Sequence, residues 1–366
     1  MGAPLTGQSE SAYKTTQARE VAFSFGTKMS VYRAGLIGAG DFFRIQSPIL
    51  QKSHRVRVEA VFDPNPQAAR AAAERLGARV AESAEAIFED AGLEVVLIFT
   101  PPFTRRALVE AAVAARKRIV TTKPLAPNAA DARAIVSATR GGHCLVIYKR
   151  TGNAQVQTLK RVLDSGDVGG LGLYRHDWIH HYPYWSSWSL DPEKNGGPLV
   201  DAMIHNVNTA RFLAGREVVG YGYHGYRLSH DFAIPDTELL ILDFEGGATA
   251  HLSITWGADL AIYDVKANDR ERIDINYVVT TKGWLVRFEV RDGRPTVAAT
   301  KDGHVRQYPV EALALTLYDR WVEDFEAGRP VETSTEEACR DLELVLLATA
   351  NPSARPVAET AGASTR

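Results

Sequence analysis

Cysteine is nearly absent from this chain of 366 residues: only Cys144 and Cys339 occur, without metal-ligand spacing. A single possible pair in so long a chain fits free thiols in a reducing compartment better than a disulfide framework, so the cytoplasm is the expected location. No apolar run approaches the roughly 18 residues needed to span a bilayer, and the longest, Leu93 to Phe99, reads as a core strand. An excess of one charge is also missing. Lysine and arginine number 42 against 44 aspartates and glutamates, a formal net charge of −2, and they are spread along the chain. Neither nucleic acid nor a membrane surface is therefore expected as a partner. No internal repeat is visible. Residues 1–28 contain few large apolar side chains, no twin arginine and no apolar signal core. They read as an extension, with Met29 the natural start, or alternatively as an arm that docks on a neighbouring subunit.

What is present is an ordinary globular composition, 45% hydrophobic and 23% charged, in a chain long enough for two domains. Between Val31 and Tyr148, strand-like apolar runs alternate with helical patterns, the mark of a parallel sheet covered by helices. Strands are expected at Tyr32 to Ile37, Arg55 to Phe62, Val95 to Thr100, Arg118 to Thr121 and Cys144 to Tyr148. Helices are expected at Pro66 to Leu76, stopped by Gly77, at Thr104 to Arg116 and at Ala129 to Thr139. After Arg150 one helix, Val156 to Leu163, precedes strands separated by hairpin signals. Leu239 to Phe244 and Ala248 to Trp256 flank Glu245-Gly246-Gly247, and Ile273 to Thr280 and Trp284 to Val290 flank Thr281-Lys282-Gly283. Helices Leu199 to Leu213, Leu313 to Ala327 and Glu336 to Ala348 would cover one face of that antiparallel sheet, the last capped by Thr333 with Glu336 at capping-box spacing.

The first strand runs into Gly35-Leu36-Ile37-Gly38-Ala39-Gly40, where a tight turn would present the amides of a helix start to a pyrophosphate. Such a turn can also be mere punctuation, but strand two ends at Asp63, near the offset at which an acidic side chain accepts from the adenosine ribose hydroxyls. Asp63 is equally a turn residue in Asp63-Pro64-Asn65-Pro66, and both roles are compatible. An aspartate there repels a 2′-phosphate, so NAD is favoured over NADP. Phe43 stands where a third glycine would be, so the loop must differ slightly. The expected cofactor contacts are Gly38, Gly40, Asp41, Phe42, Phe43, Asp63, Thr100, Pro101, Pro102 and Lys123.

Thr100-Pro101-Pro102 after the buried strand, Lys123-Pro124 after the next, and Gly196-Gly197 followed by Asp201 and His205 resemble the glucose-fructose oxidoreductase and inositol dehydrogenase family, Gfo/Idh/MocA, from Met29 to Val357. The resemblance implies an α/β protein with an N-terminal Rossmann dinucleotide-binding domain over 29–150. A C-terminal α+β domain with a large, mostly antiparallel sheet would follow over 151–357, with a tail at 358–366. It implies a homodimer or homotetramer formed through that sheet, and a lysine, here Lys123, beside nicotinamide and substrate. Two departures stand out. Thr122 replaces the family's glutamate before the lysine, and Arg105 replaces a histidine often found three residues after Thr-Pro-Pro.

Hydride transfer between a carbinol carbon and nicotinamide needs a partner for the hydroxyl proton and donors where alkoxide character develops. Lys123, Asp201 and His205 are the candidates, although a Lys-Pro pair can be a surface turn and Asp with His at i+4 an ordinary helix pair. His205, titrating nearest neutrality, is the first choice of acid/base, Asp201 orients it, and Lys123 stabilises the alkoxide; the roles of Lys123 and His205 could be exchanged. A metal site is not expected. In Leu171 to Tyr182 the residues Tyr174, His176, Trp178, His180 and Tyr182 share one strand face, followed by Tyr184, Trp185 and Trp188. They would wall a sugar site, with His180 or His181 bonding hydroxyls, or form an aromatic core or subunit interface. Arg150 would meet a substrate carboxylate or hydroxyl, or form an interdomain salt bridge. Lys123, Arg150, Trp178, His180, Tyr184, Asp201 and His205 are thus the candidate substrate contacts. The expected activity is NAD(P)-dependent oxidation of a secondary hydroxyl of a sugar, cyclitol or related polyol. The alternatives are glycoside cleavage by transient oxidation and elimination, and a dinucleotide-binding regulator, which retention of Lys123, Asp201 and His205 argues against.

Overall fold

The computed structural model describes residues 29–142, 144–180, 188, 191–258, 263–264, 269–270 and 272–351. The expected extension 1–28, the tail 358–366 and the candidates His181, Tyr182, Tyr184 and Trp185 lie outside them, as does the side chain of His180.

The first half alternates strand and helix: β1 (Tyr32–Ile37), α1 (Asp41–Leu50), β2 (Val56–Phe62), α2 (Pro66–Leu76), β3 (Arg79–Val80), α3 (Ala84–Glu89), β4 (Val95–Ile98), α4 (Pro102–Ala114), β5 (Arg118–Thr122), α5 (Ala129–Thr139) and β6 (Cys144–Ile147). The strands form a parallel sheet in the order β3-β2-β1-β4-β5-β6, whose reversal beside β1 opens a crevice at the strand ends. β4 is apolar at every position because helices bury both of its faces. Only β3 and α3 were not legible as elements. β3 is two exposed residues, and α3 is six residues long, too short to show a period.

Past α6 (Ala154–Asp164) and β7 (Leu171–His180), the helix expected from Leu199 opens as a π turn, Leu199–Met203, before α7 (Ile204–Ala214). Then come β8 (Val218–Tyr226), β9 (Thr237–Phe244), β10 (Thr249–Thr255), β11 (Tyr263–Asp264), β12 (Asp269–Arg270), β13 (Arg272–Thr280), β14 (Leu285–Arg291), β15 (Arg294–Lys301) and β16 (His304–Pro309). Eight of these strands form one sheet, β16-β15-β14-β13-β7-β10-β9-β8, antiparallel except where β10 runs beside β7. Strict alternation of buried and half-exposed residues along β9 and β10 gives it one packed face.

The last two helices depart from expectation. α8 (Leu317–Glu326) returns to the first sheet instead of covering the second. Tyr318 donates to Gln46 at 2.9 Å, and Asp319 accepts from Ser53 at 2.6 Å and from the amides of His54 and Arg55 at 3.0 Å. Trp321 and Phe325 join the core under α1 and β2. α9 (Thr335–Ala350) packs on α5 and α7, and its cap is Ser334, which accepts from Glu337, not Thr333, which is buried. Helical periodicity shows that a helix has an apolar face; it does not say which surface receives it.

Candidate active site

The turn after β1 is built by glycine. Gly38 has φ +96°, and a Cβ there would lie 2.6 Å from the Phe99 carbonyl oxygen at the end of β4. Gly40 is the cap of α1 without a side-chain acceptor, so the amides of its first turn face the crevice uncapped. Phe43 fills the gap between α1 and the sheet with a side chain 3% exposed, so it shapes the loop from behind. Phe42 packs edge-on against Phe99 and does line the crevice. Asp63 holds the loop in place: it accepts from the Ala39 amide at 2.7 Å and from Asn65 at 2.8 Å. The turn role is therefore real, and lone pairs remain for ribose hydroxyls. A glycine cradle, a free helix start and an acid at the end of β2 fit a dinucleotide.

The crevice, about 370 Å³, runs from Gly40, Asp41 and Phe42 past Thr100, Pro101 and Pro102 to Lys123, Asp201 and Trp188. Lys123 directly follows β5, with its side chain only 14% exposed. Its ammonium donates to the backbone carbonyl of Asp201 and stands 3.5 Å from that residue's carboxylate. Burial lowers its pKa; Asp201 works against that and the charge of Arg105 works with it.

His205, one turn later, is not bonded to Asp201. The backbone amide of Lys149 donates to its Nδ1 at 3.0 Å, and the Tyr148 ring lies edge-on to it. Burial first, then the charges of Lys123 and Lys149, hold its pKa well below the ordinary value. His205 is thus a neutral imidazole, and because Nδ1 accepts, the ring proton is on Nε2. The expected i,i+4 partnership fails because the π turn spaces these residues differently: Asp201 goes to Lys123 and His205 to the end of β6.

Two candidate substrate contacts are claimed elsewhere. Arg150 is 2% exposed; it donates to Asn208 at 2.5 Å and Glu337 at 2.8 Å, and its guanidinium lies 4.3 Å from the Phe212 ring centre. It ties the end of β6 to α7 and α9, as the salt-bridge alternative expected. Trp178 is 8% exposed and belongs to the core, as do Tyr174 and His176. Tyr174 and His176 share a 2.8 Å hydrogen bond, and His176 Nε2 lies 2.8 Å from Asp274. Burial tends to raise the Asp274 pKa, but its His176 bond and the charge of Lys149 outweigh that and hold it down. Lys149 closes the chain, 3.2 Å from Asp274 and 4.8 Å from the Trp178 ring centre. Lys149 stands beside Arg150 at the strand end that the resemblance places near the cleft, and nothing local in the sequence marks Asp274. Glu238 on β9 was also missed: it accepts from the Leu199 amide at 2.6 Å and Tyr223 at 2.8 Å, pinning the start of the π turn.

A doubly wound nucleotide sheet joined to a large mixed sheet, with a buried lysine where they meet, defines a two-domain nicotinamide-dependent oxidoreductase. Residues 32–149 match the oxidoreductase family NAD-binding Rossmann fold and residues 156–285 the GFO/IDH/MocA C-terminal domain. The chain belongs to the GFO/IDH/MocA family. It is 31% identical to inositol 2-dehydrogenase 2 of Saccharopolyspora erythraea over 278 residues, 73% of this chain and 77% of that one. Identity to inositol 2-dehydrogenase 1 of the same organism is also 31%, over 221 residues, 57% of this chain; the match spans 62% of that relative's length. The fold is shared with an aldose-aldose oxidoreductase from Caulobacter crescentus complexed with glycerol, at 20% identity and a TM-score of 0.74, over 87% of this chain and 97% of that one.

Proposed function

We propose that the chain oxidises a secondary hydroxyl of a sugar, cyclitol or related polyol, and reduces the matching ketone, with NAD preferred over NADP. The observation that carries this is the placing of Lys123 at the crevice floor, against Asp201 and with its pKa lowered. Bound nicotinamide would take up or give back the hydride. Gly38, Gly40 and the first turn of α1 would hold the pyrophosphate, Asp63 the ribose, and Thr100 to Pro102 with Lys123 the nicotinamide end.

Lys123 as free amine takes the hydroxyl proton during oxidation and returns it during reduction. Asp201 holds that amine in place. His205, neutral and protonated at Nε2, donates to the substrate oxygen as negative charge develops on it. This reverses the first choice made from sequence, because an imidazole whose Nδ1 is occupied by an amide cannot accept a proton at Nε2. Names of relatives with inositol as substrate support a cyclitol as the first compound to try. A panel of cyclitols, aldoses and polyols, read by NADH absorbance, tests the reading. Turnover of at least one is expected, and no NADH from any member by protein that binds NADH would refute it.

We further assign the half-exposed face of the second sheet, with Ile275 51% exposed, to contact with a second copy. Light scattering of the wild type against Ile275→Lys tests it, with loss of the oligomer expected. Among the described residues no helix is long and apolar enough to cross a membrane. Both cysteines are free and buried, from which we infer a reducing, cytoplasmic setting.

A further inference from the structure

Arg105 sits in the first turns of α4, 3% exposed, at the wall of the crevice. Every hydrogen bond it makes goes to a backbone carbonyl. Nε and one terminal nitrogen donate to Thr100, at 3.0 and 2.6 Å, and the other terminal nitrogen donates to Thr122, at 2.6 Å, and to Pro124. Thr122 and Pro124 are the neighbours of Lys123 on either side. A buried guanidinium is ordinarily matched by a carboxylate at hydrogen-bond distance, since desolvating a lone charge is costly. Here the carboxylate whose charge acts on it, Asp201, is hydrogen-bonded to Lys123 instead.

We propose that Arg105 is the positioning residue of Lys123: its fork holds the two carbonyls that bracket the lysine, aiming Nζ at Asp201 and the crevice. The inference rests on Lys123 as the proton-exchanging group. The groups facing Lys123 are Asp201 from the π turn, which favours its protonated form, Arg105 from α4, which disfavours it, and neutral His205 from α7. Arg105 therefore has two effects, one geometric through the carbonyls and one electrostatic through its charge, and they separate by mutation.

Competitive acetylation of the full chain with acetic anhydride across pH, read by peptide mass spectrometry with exposed Lys52 as reference, follows the Lys123 amine without any substrate. Arg105→Gln leaves Asp201 unopposed and is expected to move the Lys123 midpoint up by about one pH unit, a tenfold loss of free amine below it. Arg105→Lys keeps the charge and loses the fork. It is expected to leave the midpoint in place while kcat for the best polyol falls about tenfold or more and KM for NAD stays within about twofold. An unmoved midpoint in Arg105→Gln overturns the electrostatic half, and wild-type kcat in Arg105→Lys overturns the geometric half. If the glutamine variant does not fold, the lysine variant still decides. A shifted midpoint in protein that oxidises no polyol supports the role of Arg105 and overturns the substrate reading instead.

Discussion

The amide of Lys149 donates to Nδ1 of His205 across 3.0 Å, and that one bond decides which tautomer the imidazole adopts. The donor is backbone, so no substitution at position 149 other than proline removes it. Fixing Nδ1 as acceptor leaves the ring proton on Nε2, and on the proposed mechanism that makes Nε2 a donor and leaves proton exchange to Lys123.

The roles separate on mutation. Lys123→Ala is expected to lower kcat by about 10²- to 10⁴-fold, the usual worth of a positioned acid/base. His205→Gln, which keeps an N–H donor, is expected to retain clearly more activity than His205→Ala. NADH binding, followed by tryptophan quenching, survives in all three. Equal loss in the two His205 variants would return the base role to that residue.

The pH dependence has a definite sign. Oxidation needs Lys123 unprotonated, so its rate rises with pH through the lowered lysine pKa, and ketone reduction falls over the same range. His205, neutral well below its ordinary pKa, contributes no limb near neutrality. Steady-state rates in both directions across pH check this; an oxidation limb that persists in Lys123→Ala contradicts it.

Asp63→Ala is expected to weaken NAD far more than NADP, because it removes an acceptor for the ribose hydroxyls and also the charge that repels a 2′-phosphate. Fluorescence titration with both reduced cofactors measures this. Equal losses would leave Asp63 only as the anchor of Ala39 and Asn65.

Arg150→Ala should destabilise the fold by about 2 to 4 kcal/mol, since it strands Asn208 and Glu337 beside a buried cavity. Denaturant unfolding reads the loss. An unchanged midpoint with a large rise in substrate KM would instead restore Arg150 as a substrate ligand.

Glu238 offers a stability test. Burial raises its pKa to about 7 despite the bonds from Leu199 and Tyr223. A raised carboxyl pKa contributes stability that is full below the unfolded value, 4.5, and lost as pH rises through about 7. Glu238→Gln should therefore gain on the wild type between pH 5 and pH 8, by up to about 3 kcal/mol. Thermal unfolding at both pH values measures it, and a constant difference would refute the linkage.

Much of this protein is local in sequence and was legible there. The turn from β1 needs glycine at Gly38 because the Phe99 carbonyl crowds it, α2 starts at Pro66 and stops before Gly77, and buried strands such as β4 are continuous apolar runs. These signals lie within a few residues of what they specify, so Asp63 could be named from its spacing alone, while Lys123, Asp201 and His205 were named through the motifs that resemble the family's. Tertiary structure decided what each then touches. It sent α8 to the first sheet, paired Arg150 with Glu337, and put Arg105 on the carbonyls around Lys123. It also placed the Lys149 amide against His205. Those contacts join residues far apart along the chain, often through backbone atoms that every residue possesses, and a sequence holds no local mark for a carbonyl or an amide that a distant side chain will use.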